Sequence, residues 1–81
     1  MNLEILTPGQ LVYSGEVTLV QLPGTKGNFE ILNNHAPLIS TLEKGKIRII
    51  DIKKQELYFE ISGGVIECRQ NKIVILVDAV K

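Results

Sequence analysis

The residues able to carry chemistry in this chain are few and scattered. His35 is the only histidine and Cys68 is the only cysteine. A general base would have to be His35, and a nucleophile would have to be Cys68, Ser14, Ser40 or Ser62. None of these serines lies in a Gly-x-Ser-x-Gly elbow. The sequence therefore predicts no catalytic set, and we expect no enzymatic activity from this chain.

Structural roles explain His35 and Cys68 without chemistry. His35 precedes Ala36 and Pro37 in a predicted turn, where its ring either bonds to the backbone or contacts a partner. Cys68 lies in a predicted strand, as a small buried apolar side chain would. One histidine and one cysteine cannot complete a four-ligand zinc site, and a lone cysteine cannot close an internal disulfide. We expect no metal and no cofactor.

The sequence PGTKG at residues 23–27 has a superficial likeness to a phosphate-binding loop. It lacks the Gly-x-x-x-x-Gly-Lys-Ser/Thr spacing, and no predicted helix follows to direct its N-terminus at a phosphate. A hairpin connection explains the segment, so no small-molecule substrate is expected.

Charge and composition exclude two further classes of function. Nine basic residues balance nine acidic ones, and the chain has only two tyrosines and two phenylalanines. A nucleic-acid-binding protein normally carries a basic stripe or stacking aromatics, and neither is visible. No apolar run reaches the roughly 18 residues of a membrane helix, and the start lacks a signal peptide. We expect no direct insertion into a membrane and a reducing, cytosol-like compartment.

Short β-branched runs separated by Gly, Pro and Asn predict about ten strands joined by tight turns. Pro8-Gly9, Ser14-Gly15, Lys44-Gly45 and Gln70-Asn71 mark four of these turns. No helical period is sustained. The 81 residues are one domain's length, and the pattern indicates an all-β sandwich or barrel.

Alternation along the strands shows which faces are apolar. Leu57, Phe59 and Ile61 point to one side of their predicted strand, whereas residues 73–77 are apolar on both sides. Val20 and Leu22 are expected to lie opposite Val17 and Leu19. Apolar residues on an outer face are covered either by the domain's own loops or by another chain, and the pattern leaves both readings open.

Several ordered blocks resemble one protein family. Residues 22–38 read LPGTKGNFEILNNHAPL, residues 42–49 LEKGKIRI, residues 62–67 SGGVIE, and residues 71–79 NKIVILVDA. Together they span nearly the whole chain and resemble the N-terminal β-sandwich domain of the epsilon subunit of F-type ATP synthase.

The resemblance implies a flattened sandwich of about ten antiparallel strands in two sheets. It implies one epsilon-type domain over residues 1–81, without the helical hairpin that follows it in most family members. The function implied is that of a non-catalytic central-stalk subunit, which couples ion-driven rotation of the c-ring to the catalytic sector. Its partners would be the γ subunit and the c-ring, at the cytoplasmic face of the inner (cell) membrane.

The resemblance also implies two contact segments. Toward the c-ring it places Lys26, Gly27, Asn28, Phe29 and Glu30. Toward the γ subunit it places His35, Ala36, Pro37, Leu38 and Ser40. The sequence departs from the family at two of these positions, because Asn28 stands where the family often has a carboxylate and Glu30 where it usually has glycine.

Two other functions are compatible with a sandwich of this size. A biotinyl or lipoyl carrier would need a modifiable lysine at a hairpin tip, and Lys53-Lys54 lacks the usual flanking context. A small enzyme or ligand-binding barrel would depend on His35.

Overall fold

The computed structural model describes residues 1–81 and contains eight strands and no helix. The strands are β1 (Asn2–Thr7), β2 (Gln10–Gly24), β3 (Gly27–Leu32), β4 (Leu38–Leu42), β5 (Gly45–Asp51), β6 (Glu56–Ile61), β7 (Gly64–Arg69) and β8 (Lys72–Val77). No helix that is long and apolar enough to cross a bilayer is present.

The long strand β2 joins two groups of strands. Its first half pairs with β1, whose other side pairs with β8, followed by β7 and β4. Its second half lies between β3 and β5, and β6 pairs with β5. Between β2 and β4 there is a single bridge, from Gly24 to Leu42. We call β1-β8-β7-β4 the first sheet and β3-β2-β5-β6 the second sheet.

The core consists of inward-facing side chains from both sheets. Fifteen apolar residues are buried, and no polar or charged residue is buried with them. Eleven side chains are the largest fully buried ones, namely Leu3, Ile5, Leu22, Ile31, Ile47, Ile49, Ile66, Ile73, Ile75, Val17 and Val20. Alternation along β8, where Ile73, Ile75 and Val77 are buried, is typical of a strand with one inner face.

The all-β prediction is confirmed, while the strand number is eight instead of about ten. Ser14 and Gly15 do not interrupt β2, because they pair with Glu4 and Leu3 of β1. The pairing is also not wholly antiparallel, since β1 and β8 run parallel.

The predicted faces of β2 were wrong at Val17. Val17 and Val20 are both fully buried although they are an odd number of residues apart. The pairing of β2 with β5 shifts register between Val17 and Leu19, which is the mark of a β-bulge. The extra residue, Thr18, turns Val17 back to the side on which Val20 lies.

Candidate protein-binding surface

Two glycines shape the tip of the β2–β3 hairpin. Gly24 pairs with Gly27, and a Cβ atom on Gly24 would lie 2.7 Å from the Gly27 carbonyl oxygen and 2.8 Å from the Phe29 ring. Gly27 has φ +120°, a conformation that L side chains rarely adopt. The close approach is therefore possible only without side chains, and it leaves Thr25 and Lys26 exposed at the tip.

Four of the five residues predicted to face the c-ring lie on the surface of this hairpin. Lys26, Gly27, Asn28 and Glu30 are exposed, whereas Phe29 is half-buried and packs against the core. Phe29 pairs with buried Leu22, so its ring points inward while Asn28 and Glu30 point outward. The structure thus brings these residues together, with Phe29 as the anchor.

The residues predicted to face the γ subunit follow β3. His35, Ala36 and Pro37 are exposed in the β3–β4 connection, and Leu38 and Ser40 are half-buried in β4.

Two hydrogen bonds to backbone carbonyl groups hold His35 in a turn. Its backbone N–H donates to the Leu32 carbonyl at 3.2 Å, and its Nδ1–H donates to the Ala36 carbonyl at 2.7 Å. The ring is exposed, and no acid or nucleophile bonds to it.

A pair of asparagines fixes the β3–β4 connection to the turn between β7 and β8. The Asn34 backbone N–H donates to Asn71 Oδ1 at 2.7 Å, and Asn71 Nδ2 donates to Asn34 Oδ1 at 3.0 Å. Both residues have positive φ angles, which asparagine tolerates better than most residues. The connection is therefore held by side-chain bonds to the neighbouring sheet.

A cleft separates the hairpin from β4. Its volume is about 380 Å³, and residues 24–27 with Phe29 line one side while Ile39, Ser40 and Thr41 line the other. One end is closed where the Thr25 N–H donates to the Thr41 carbonyl at 3.3 Å and the two hydroxyls lie 3.0 Å apart. The two predicted segments are thus neighbours across one cleft.

Sequence reasoning missed Ile39 although it named the residues on both sides of it. The Ile39 side chain is 73% exposed, the highest value among the large apolar residues. Strand alternation carried a signal, because Leu38 and Ser40 point toward the core side of β4 and Ile39 must then point out.

Apolar side chains form rows on the outer faces of both sheets. On the first sheet, Leu76 is 50% exposed and lies beside Val65 and Leu6 on the adjacent strands. We call Leu6, Val65 and Leu76 the Leu76 row. On the second sheet, the Leu19 row consists of Leu19, Leu32 and Ile50, of which Leu32 is 52% exposed. Single exposed apolar residues are ordinary, whereas rows across neighbouring strands are typical of binding surfaces.

Two ionisable side chains, those of Arg48 and Cys68, have structural roles. Arg48 Nε donates to Glu56 Oε1 at 2.9 Å, and this hydrogen bond raises the pKa of the Arg48 guanidinium above its usual range. Cys68 is buried, and burial raises the pKa of its thiol, which disfavours the nucleophilic thiolate.

Comparison with known families gives a match along the whole chain. The model of the family described as "ATP synthase, Delta/Epsilon chain, beta-sandwich domain" matches residues 1–81. The ATP synthase epsilon chain of Chlorobium limicola is 45% identical over 79 residues, covering 98% of this chain and 90% of that protein. The epsilon chain of Chlorobaculum tepidum is 41% identical over 79 residues with the same coverage.

Solved structures with the same fold come from ATP synthases. A chain of the Euglena gracilis mitochondrial ATP synthase, in a structure of OSCP, F1 and the c-ring, matches with a TM-score of 0.88 at 14% identity. The match covers 98% of this chain and 51% of that one. A chain of the central stalk and c-ring structure from Tetrahymena thermophila mitochondria matches with a TM-score of 0.81 at 18% identity, covering 100% and 65%. The full-length family match and the identity to the two epsilon chains agree with this fold, and the chain belongs to the ATP synthase delta/epsilon β-sandwich family.

Proposed function

We propose that this chain is a non-catalytic subunit of the ATP synthase rotor. It binds the γ subunit and the c-ring and so couples ion-driven rotation of the ring to the catalytic sector. The identity to proteins named ATP synthase epsilon chain, along nearly the whole chain, supports this assignment. The carrier alternative has no such support, because the family match covers the Lys53-Lys54 turn as part of the same sandwich.

The main structural support for the proposal is the set of apolar side chains exposed on the outer faces of the two sheets. A subunit held between neighbours needs apolar side chains on its outer faces, and the Leu76 row, the Leu19 row and Ile39 supply them. The accessible surface of the chain is 4937 Å². A standard interface covers about 800 Å² of each partner, so two such interfaces would bury about a third of it.

We assign the two contact surfaces that the resemblance implies to the two ends of β3. The hairpin tip, with Lys26, Gly27, Asn28 and Glu30, is the proposed c-ring surface. The connection and β4, with His35, Ala36, Pro37, Leu38 and Ser40, form the proposed γ surface. Lys26 and His35 flank the two ends of β3, a strand about 17 Å long at roughly 3.3 Å per residue. The two surfaces therefore use different residues, and both border the cleft that Gly27, Phe29 and Ser40 line.

ATP synthase is a membrane-associated complex, and we propose that the chain is peripheral to it on the cytoplasmic face. Residues 1–81 act there as a single rigid domain, because one core joins both sheets. In this position the domain transmits torque mechanically and binds no nucleotide itself.

Charge reversal at the hairpin tip tests the c-ring surface. Lys26→Glu should weaken retention of the chain by the assembled c-ring about tenfold, because a charge at the edge of an interface is reversed. The fraction of chain that co-purifies with the ring measures the effect. Folding should be unchanged, because Lys26 is exposed and makes no salt bridge.

The matched control is Lys53→Glu, an equal change of charge in the exposed turn between β5 and β6. That turn follows Asp51, which pairs with Val17 near the middle of β2, roughly 23 Å along the strand from Gly24 at about 3.3 Å per residue. If Lys26→Glu is retained by the ring as well as the parent chain, or is lost no more than Lys53→Glu, the assignment of the c-ring surface is refuted.

A further inference from the structure

The backbone of β4 is open on the side away from β7. On that side the Thr41 carbonyl accepts from the Thr25 N–H at 3.3 Å, and Glu43 N–H donates to the Pro23 carbonyl at 2.8 Å. Backbone groups of successive residues in an antiparallel strand point to alternate sides. Ile39, two residues before Thr41, therefore also directs its N–H and C=O away from β7.

No strand of the chain takes up these groups of Ile39. Beyond Leu42, which bridges to Gly24, β4 pairs only with β7. The open side faces the cleft of about 380 Å³ between β4 and the hairpin, beside the half-buried Phe29 ring. An N–H and a C=O from one residue, both pointing into a cleft, form half of an antiparallel hydrogen-bonded pair.

This edge also lacks the usual protection against pairing. Exposed edge strands normally carry charged side chains, proline or a bulge. Residues 38–42 are uncharged, and Pro37 stands only at their start. The edge of β3 differs, because the strand contains the charged residue Glu30 and directly follows Lys26. Of these two edges, the uncharged edge of β4 is the one suited to pairing.

We propose that the free edge of β4 receives an extended segment of the γ subunit, which pairs antiparallel with Ile39 and fills the cleft. This rests on the proposed function, since residues 35–40 form the proposed γ surface. The residue opposite Ile39 is apolar, because cross-strand neighbours share a face and the Ile39 side chain is 73% exposed. Its neighbours along the segment lie over Phe29 and are also apolar.

A single extended chain fits this site better than the edge of a second copy. The cleft is bounded across from β4 by the hairpin and closed at one end by the bonds between Thr25 and Thr41. A strand that is part of another sheet would bring its neighbouring strand into the hairpin. An extended peptide segment has no such neighbour and can lie in the cleft.

Amide hydrogen exchange at Ile39, read residue by residue, tests the proposal in the complex of this chain with γ. In the free chain Ile39 should exchange fast, while Ser40, which pairs with Ile66 of β7, is protected. On binding γ, the Ile39 amide should slow by roughly tenfold or more, while Ser40 changes little.

Each other outcome of the exchange experiment overturns the proposal. A complex in which Ile39 still exchanges fast would disprove strand addition and leave the proposed function standing. Failure of γ to bind at all would overturn both. Protection of Ile39 that rises with the concentration of the free chain would assign the edge to a second copy of this chain.

A pair of variants separates the backbone from the side chain. Ile39→Pro removes the N–H on the open side and none of the bonds to β7, and proline is tolerated at such edge positions. Ile39→Val keeps the N–H. The Pro variant should bind γ roughly tenfold more weakly and the Val variant within about twofold of the parent. Binding of a folded Ile39→Pro chain at full affinity would overturn the proposal, and the exchange experiment decides the matter if that chain does not fold.

Discussion

At the scale of single residues, the interpretation of the two chemistry-bearing side chains agrees with the structure. His35 was expected to bond to the backbone in a turn or to contact a partner, and it bonds to the Ala36 carbonyl at 2.7 Å. Cys68 was expected to be a small buried apolar side chain, and it belongs to the core. Residue type and local context were sufficient for both, because a turn and a strand are local features.

Glycine at position 64 is required by a long-range contact instead. A Cβ atom there would overlap the Leu76 carbonyl oxygen and lie 3.0 Å from the Val77 Cα atom. Both neighbours are backbone atoms of β8, so the strand itself would have to move. Paired glycines such as those at 63 and 64 are typical of a bend or bulge, but the sequence could not name the strand that approaches.

Gly64→Ala should lower the free energy of unfolding by about 1–3 kcal/mol, the usual cost of overpacking. Urea unfolding measures it. The control is Gly9→Asn, because Gly9 has φ +79° with nothing within 4 Å of its Cβ position, and asparagine accepts that conformation. The control should change stability by less than about 0.5 kcal/mol. Equal stability of Gly64→Ala and the parent chain would contradict the packing of β7 against β8.

At the scale of elements, turns were easier to predict than pairings. Gln70 and Asn71 have φ angles of 52° and 59°, as a tight two-residue hairpin turn requires. Pro8-Gly9 likewise joins β1 to β2. The continuity of β2 could not be predicted, because Ser14 and Gly15 have turn propensity and only their pairing with β1 keeps them extended. Tertiary pairing overrides local propensity in such strands.

The open edge of β4, like the continuity of β2, is determined by pairing between residues that are far apart in the sequence. The resemblance named residues on both sides of Ile39, and alternation along β4 would have placed the Ile39 side chain outward. Which side of β4 is unpaired depends on the single bridge between Gly24 and Leu42. No local pattern encodes a bridge between residues that far apart, so the cleft was not predicted.

The β3–β4 connection is an element whose geometry depends on one turn residue. Asn71→Gly keeps the positive φ of the β7–β8 turn but removes both side-chain bonds to Asn34. We expect a loss of about 1 kcal/mol in unfolding free energy and faster amide exchange at Asn34, because these bonds are exposed and modest. Gln70→Gly in the same turn is the control, since it keeps both bonds. If the two variants exchange equally at Asn34, the asparagine pair does not hold the connection.

At the scale of the whole molecule, two sheets share β2 and one core of fifteen buried apolar residues. The core has no buried polar group, so the specific features of this chain lie on its outside. The hairpin tip and the β3–β4 connection lie at the two ends of β3, and apolar rows lie on both outer faces. The proposed transmission of rotation needs a rigid body with two contact surfaces, and this arrangement is consistent with that proposal.

The most direct test of this account is the mass of the complex that forms when the chain, the γ subunit and the detergent-solubilised c-ring are mixed. Native mass spectrometry should detect one assembly that contains all three, with one copy of this chain for each γ. An assembly of γ and the ring without this chain, at micromolar concentrations of all components, would contradict the proposed role in the rotor.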